Sequence, residues 1–281
     1  MSDDLDTDYP LLTRKSYAAA SVFRPENLLR EARRQKRLPD VPVPRVCLLD
    51  PDGDVVEYLS RTGTGSLQPG WACYHTRMWT TTTDGVTLGV VGNAVGAPFA
   101  VLVAEQLAAS GADLVISITS AGQLAAVADP PYFVLIDRAL RDEGTSVHYQ
   151  PPATWSRLGA HLDTALTEVL RVSGRALRRG PSWTTDAPYR ETQDAIAAAR
   201  AAGAVCVEME AAALYAYAAA RGRQVVCLAH VTNTMAVAGD DFDKGHDQGA
   251  TASLELAAAI ARAVVPPTGG SWSTSCGTAP R

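Results

Sequence analysis

No stretch of the 281-residue chain stays apolar for the length of a membrane span, so no spanning helix is expected. The N-terminus, Met1-Ser2-Asp3-Asp4-Leu5-Asp6-Thr7-Asp8, is acidic and lacks the basic-then-apolar order of a secretory leader. Cysteine is scarce. Cys47, Cys73, Cys206, Cys227 and Cys276 are odd in number, and no two form a Cys-x-x-Cys pair. Free thiols in a reducing cytoplasm, packed as small core hydrophobes, are the expectation. Charge of one sign is also lacking: 25 basic residues face 30 acidic ones, a net charge of −5. A nucleic-acid or membrane surface is therefore not expected. Internal repeats are absent, as is any linker long enough to split the chain.

What is present is a regular alternation. Short β-branched runs at 46–49, 86–91, 114–118, 132–136, 205–207 and 224–230 are separated by helical stretches at 25–37, 55–59, 98–110, 158–172, 193–202, 211 onward and 250–264. A further strand is expected over Trp71–Trp79, joined to Val86–Val91 by the hairpin signal Asp84-Gly85. This order predicts one α/β domain, a twisted mixed, mostly parallel sheet covered by helices. Residues 1–44 read as an N-terminal extension with one helix, 45–265 as the domain, and 266–281 as a disordered Pro/Gly/Ser-rich tail.

Polar loops mostly follow strands, which places them along one sheet edge, where ligands of open α/β folds bind. One stretch stands out: Val205-Cys206-Val207-Glu208-Met209-Glu210-Ala211-Ala212-Ala213-Leu214. A buried strand ends in two carboxylates around a methionine and runs straight into an alanine-rich helix. Two carboxylates there can accept hydrogen bonds from a polyhydroxy ligand such as a ribose, with methionine as a soft apolar surface. The same triplet also fits first-turn dipole residues around a core methionine. Other strand ends carry Gly92 to Pro98, with Gly96 before a helix start, and Thr119-Ser120-Ala121-Gly122, read as a loop with two hydroxyl donors.

Taken together, Val-Gly-Ala-Pro at 95–98, Ser120-Ala121-Gly122, Arg141 to Tyr149, Trp183 to Thr192, the Glu-Met-Glu segment and the strand end at Asn233 resemble the nucleoside phosphorylases of the uridine/purine nucleoside phosphorylase superfamily. The resemblance spans roughly residues 45–262. It implies a three-layer α/β/α sandwich, reversible cleavage of an N-glycosidic bond with phosphate as acceptor, and no cofactor or metal. It implies a homo-oligomer, at least a dimer, and the two tryptophans, tyrosine and cationic groups of Trp71 to Trp79 put that segment near the contact.

The resemblance also distributes roles. Glu210 holds the ribose 2′-hydroxyl, Met209 packs the sugar, and Glu208 supports the pocket. Thr119 and Ser120 lie beside ribose and phosphate. Asn233 faces the base, as do Thr184, Asp186 and Arg190. His148 serves the sugar's 5′ side or is a core histidine. Asp186 is equally a turn former, and Arg190 and Arg141 are equally partners of Glu191 and of Glu143 or Asp142.

Two departures bear on the acceptor. Where the family carries Gly-Asp-Pro-x-Arg, this chain has Leu49-Asp50-Pro51-Asp52-Gly53, and Ser117 replaces a second phosphate-binding arginine. The anion site is then weakened or rebuilt, with His75, Arg77 or Arg141 as replacements. A hydrolase using water, with Asp52 or Asp54 near the loop, and a non-catalytic nucleoside-binding protein are the alternatives.

Overall fold

Chain alternation produces a ten-stranded mixed sheet with helices on its two faces. The computed structural model describes residues 12, 13, 15–173, 177–235 and 242–266. In chain order the elements are α1 (Pro25–Lys36), β1 (Val46–Asp50), α2 (Asp54–Thr62), β2 (Ser66–Leu67), β3 (Trp79–Thr83), β4 (Val86–Gly92), α3 (Ala97–Ala109), β5 (Leu114–Gln123), β6 (Tyr132–Asp142), β7 (Trp155–Arg157), α4 (Ala160–Ser173), β8 (Leu177–Thr185), α5 (Gln193–Ala201), β9 (Cys206–Glu208), α6 (Ala211–Arg221), β10 (Gln224–Asn233) and α7 (Ala250–Val264). Helix α7 packs against α2 and α4, while α3 packs against α1 and α6.

The α/β class is as expected, but the sheet does more than form a flat middle layer. β10 pairs with β5 in parallel and with β6 antiparallel. β6 continues to β8, β8 to β9, and β9 back to the end of β5. Five strands therefore close into a ring, and β1, β4, β3 and β2 extend from β5 as an open wing. Strand pairs divide evenly between parallel and antiparallel, and the parallel ones hold the longer registers. The antiparallel ones come from the Asp84-Gly85 hairpin, from the short returns β2 and β7, and from ring closure.

Ring closure also explains two other differences. Thr119 to Gly122 is not a loop but the end of β5, because β10 on one side and β9 on the other give its backbone partners. Likewise β8 runs through Trp183 and Thr184 to Thr185 before the chain turns at Pro188–Arg190. The expected strand over Trp71–Trp79 is confined to its last residue and the threonines after it. Trp71, Cys73 and Met78 instead all turn into the core, and the Trp71 indole N–H donates to Thr76 Oγ1 at 2.9 Å.

Cys47, Cys73, Cys206 and Cys227 are free and buried, and Cys276 lies outside the described residues. So does the tail expected to be disordered, apart from Pro266. Leu29 and Ala32 of α1 pack with Ala72 and Ala109. No helix among the described residues is long and apolar enough to cross a membrane.

Candidate active site

The Glu-Met-Glu segment places its two carboxylates in very different states. Strand β9 ends at Glu208, whose carboxylate is buried and accepts four hydrogen bonds. Oε2 takes the backbone N–H groups of Glu210 and Ala211, both at 2.7 Å. Oε1 takes the hydroxyls of Ser182, at 2.9 Å, and of Thr184. Burial raises the proton affinity of Glu208, and these four donors oppose that rise. Glu208 thus caps α6 and ties it to β8. Thr184 belongs to this support: its oxygen also accepts the amide of Ala212 at 3.0 Å.

Glu210 is only 1% exposed, and its carboxyl is held by the Gly96 amide with the Thr119 hydroxyl close by. Its Oε1 accepts the backbone N–H of Gly96 at 2.7 Å, while Oε2 has no hydrogen-bond partner among the described residues. Its pKa is pushed up to about 8, first by burial and next by the charge of Glu208; the Gly96 amide and the Thr119 hydroxyl pull the other way. Gly96 presents that amide from a left-handed backbone, φ 87°, a conformation that favours glycine. Met209, between the carboxylates, is half-buried. A buried carboxyl oxygen without a partner is costly in a folded chain.

Beside Glu210 lie the ends of β1 and β5. The turn after β1 holds three acids with three different tasks. Asp50 is buried, and its Oδ2 accepts the amides of Val55 and Val56 at 2.9 and 3.0 Å, starting α2. Burial lifts its pKa to about 7. Asp54 is ion-paired with Lys244. Asp52 reaches across to β5, where its Oδ2 accepts the backbone N–H of Ser120 at 2.7 Å. Gly53, where the family pattern has arginine, has φ 87°, and a Cβ there would stand 2.5 Å from Asn93 Oδ1. A side chain at that position would be strained by the positive φ and would have to push the Asn93 side chain aside. Ser117, at the second arginine position, is buried with an unpartnered hydroxyl among the described residues.

At the end of β10, Asn233 pairs in register with Gly122 and is 6% exposed. Its Oδ1 accepts the amide of Met235 at 2.9 Å, and its Nδ2 donates to Thr232 at 3.2 Å. Glu210, Gly96, Thr119, Ser120 and Glu208 are therefore brought together, with Met209 between the carboxylates and Asn233 on the adjacent strand end.

The remaining candidates lie apart from that group. Arg141 stands level with Thr184 across β6 and β8, but its guanidinium is turned away. It donates to Ser146 Oγ at 2.8 Å and to the carbonyls of Pro151 and Gln150 at 2.7 and 3.1 Å. The carboxylate of Glu143 goes to the amides of Thr145 and Ser146 instead. Asp186 accepts the amide of Gly144 at 2.8 Å. His148 is exposed, with Nδ1 accepting from Lys15 at 2.8 Å; partial burial and then the Lys15 charge lower its pKa. Arg190 lies exposed on the 188–190 turn. His75 sits edge-on to Phe99 at 6.3 Å, and Arg77 is exposed on the same irregular segment.

Sequence reading missed Asp50 as a cap, Asn93 as the neighbour of Gly53, and Ser182 as a partner of Glu208. Asp50 was legible in principle, since an acid shortly before a helix is a capping signal; the other two carried none. A surface cleft lies elsewhere, at the start of β1 and β4. It is remote from these carboxylates, and its arginines are already paired, Arg45 with Asp113 and Arg262 with Asp84.

At the strand ends of this mixed α/β sheet, a braced carboxylate, Glu208, supports a second one, Glu210, with an oxygen unpartnered among the described residues. The chain belongs to the phosphorylase superfamily, whose sequence profile it matches over residues 45–266. It is 26% identical over 164 residues to a guanosine phosphorylase of Halorubrum lacusprofundi, covering 58% of this chain and 67% of that one. Its fold is similar to a uridine phosphorylase from Vibrio fischeri ES114 (TM-score 0.62, 20% identity, 81% of this chain and 92% of the other). It is also similar to a purine nucleoside phosphorylase from Toxoplasma gondii solved with immucillin-H (TM-score 0.64, 18% identity, 79% and 89%). Among the described residues, no group of three or more His, Cys, Asp and Glu could hold a metal ion.

Proposed function

We propose that this chain is a nucleoside phosphorylase, a pentosyltransferase of nucleoside metabolism. It would cleave the N-glycosidic bond with phosphate to give free base and a pentose 1-phosphate. The observation that carries this reading is Glu210: one carboxyl oxygen is fixed by the Gly96 amide and the other is buried and open. A sugar hydroxyl supplies the missing donor.

The chemistry follows from charge. As the C1′–N bond breaks, its electron pair leaves on the base nitrogen and the sugar gains oxocarbenium character. A phosphate oxygen forms the new bond to C1′, and the proton of hydrogen phosphate ends on the base. A sugar hydroxyl donating to Oε2 favours the ionised form of Glu210, and the carboxylate then stabilises the cationic sugar through a medium of low dielectric. Glu208 fixes the start of α6 and so the position of Glu210. Asn233 serves the base with its remaining Nδ2 hydrogen, as a donor rather than a general acid. Residues 45–265 form the catalytic domain behind the extension 1–44, and the setting is cytoplasmic. The working unit is a homo-oligomer, and a monomer in light scattering at micromolar concentration would refute that part. Within it, Trp71 is committed to its own core, so a contact at 71–79 rests on exposed Tyr74, His75 and Arg77.

One observation favours a second reading, hydrolysis: Asp52 already holds the Ser120 amide beside Glu210. Release of base from a panel of nucleosides, with and without phosphate, separates the two. Phosphorolysis requires phosphate and yields a sugar 1-phosphate. Undiminished release of free sugar in phosphate-free buffer would move the assignment to hydrolysis.

A further inference from the structure

Two backbone amides, those of Gly96 before α3 and of Ser120 near the end of β5, already hold carboxylates of the chain itself. Gly96 N–H is bound to Glu210, which is part of the sugar pocket. Ser120 N–H is bound to Asp52, which is exposed and has no such role. The other two acids of the same turn are engaged elsewhere, Asp50 on α2 and Asp54 on Lys244. Three residues earlier on β5, Ser117 is 1% exposed and its hydroxyl is unpartnered among the described residues. The strand thus offers buried donor capacity that no protein acceptor uses.

We propose that Asp52 is a built-in competitor for the acceptor anion: its carboxylate sits on the Ser120 amide, and phosphate must displace it to reach C1′. The inference rests on the phosphorolytic reading for the identity of the anion. The contact is of a kind an anion can replace, since a carboxylate and a phosphate oxygen both accept a backbone N–H in the same geometry. Their mutual repulsion forbids joint occupancy of one amide. Asp52 can swing out, because its side chain is exposed and its backbone is followed by Gly53 in a left-handed turn. Phosphate therefore binds weakly, and Asp52 sets the acceptor concentration at which the enzyme works. Position 53 carries no arginine, and a side chain there would meet Asn93 from a strained backbone.

The test is phosphate binding to the full-length protein by isothermal titration, alongside phosphate KM. Asp52→Ala should bind inorganic phosphate about tenfold or more tightly, with a matching fall in phosphate KM. Asp52→Asn, which keeps an acceptor for Ser120 but loses the charge, should fall between the two. Unchanged phosphate affinity in both variants, with wild-type melting temperature, would overturn the proposal. So would weaker binding, which would make Asp52 a support of the anion site. Loss of phosphate-independent base release in both variants would overturn it in favour of Asp52 activating water. Calorimetry reads the inference and nucleoside turnover reads the functional assignment. Tighter phosphate binding without any nucleoside cleavage would sustain the first and sink the second.

Discussion

Glu208 accepts the backbone amide of Glu210 at 2.7 Å, so one buried carboxylate fixes the chain that carries the other. The first is saturated with donors and the second is nearly bare. Removing the first should therefore damage the fold, and removing the second should damage the chemistry.

Glu208→Ala strands four donors: the amides of Glu210 and Ala211 and the hydroxyls of Ser182 and Thr184. The expected loss is about 2–4 kcal/mol of stability, with each unsatisfied buried group costing about 1 kcal/mol or more. Thermal unfolding should show a drop of several degrees. A melt within one degree of wild type, to take about the resolution of the method, would contradict the bracing role.

Glu210→Ala should fold normally and lose turnover. The missing interaction is a charge-assisted hydrogen bond, worth about 1.5–3 kcal/mol, or about 10–100-fold in kcat/KM on ribonucleosides. Near wild-type kcat/KM in a folded variant would remove Glu210 from the sugar site.

The same residue gives a stability signature with a defined sign. Burial raises the Glu210 pKa in the folded protein to about 8, above the ordinary carboxylate value. Between those two values the folded state binds more protons than the unfolded one, so this group's contribution to stability falls as pH rises. Below the ordinary carboxylate range the cost is absent. Glu210→Gln removes the titration. Its melting temperature relative to wild type should climb between about pH 5 and pH 8 and level off above. A pH-independent difference would show that the carboxyl is not held in its protonated form by the fold.

Arg141→Ala should act on the fold rather than on phosphate. Its guanidinium ties Ser146, Gln150 and Pro151 together. Loss of these bonds should cost about 1–3 kcal/mol, and phosphate KM should stay within about twofold, a change worth under about 0.5 kcal/mol. Lysine should not rescue it, because a point charge cannot span three acceptors in a fork. A large rise in phosphate KM at unchanged stability would return Arg141 to the anion site.

Much of this was legible in the chain itself. Period and length revealed most strands and helices, and the Glu-Met-Glu segment pointed to the carboxylate pair. What stayed hidden is tertiary. Leu177 to Ser182 lacks a strand-like alternation, with Arg178, Arg179, Gly180 and Pro181 in succession, and becomes β8 because β6 and β9 flank it. Trp71 to Met78 has strand-like composition but spends its large side chains on the core. Arg141 sat in a family-like motif, yet only the carbonyls of Gln150 and Pro151 reveal its target. Likewise Asp52 could be suspected from charge, but not its choice of the Ser120 amide over the solvent.

The ring of β10, β6, β8, β9 and β5 has a kinetic consequence. Each of its strands is hydrogen-bonded on both sides, whereas β2 is two residues long, exposed, and paired only with β3. Amide protons in the ring can meet solvent only when a large cooperative unit opens, while Ser66 and Leu67 exchange by fraying. The carboxylate pair is anchored to the slow unit through β9. Its geometry should therefore outlast the loosening of the wing, and heat inactivation should track opening of the ring rather than the earliest loss of sheet signal.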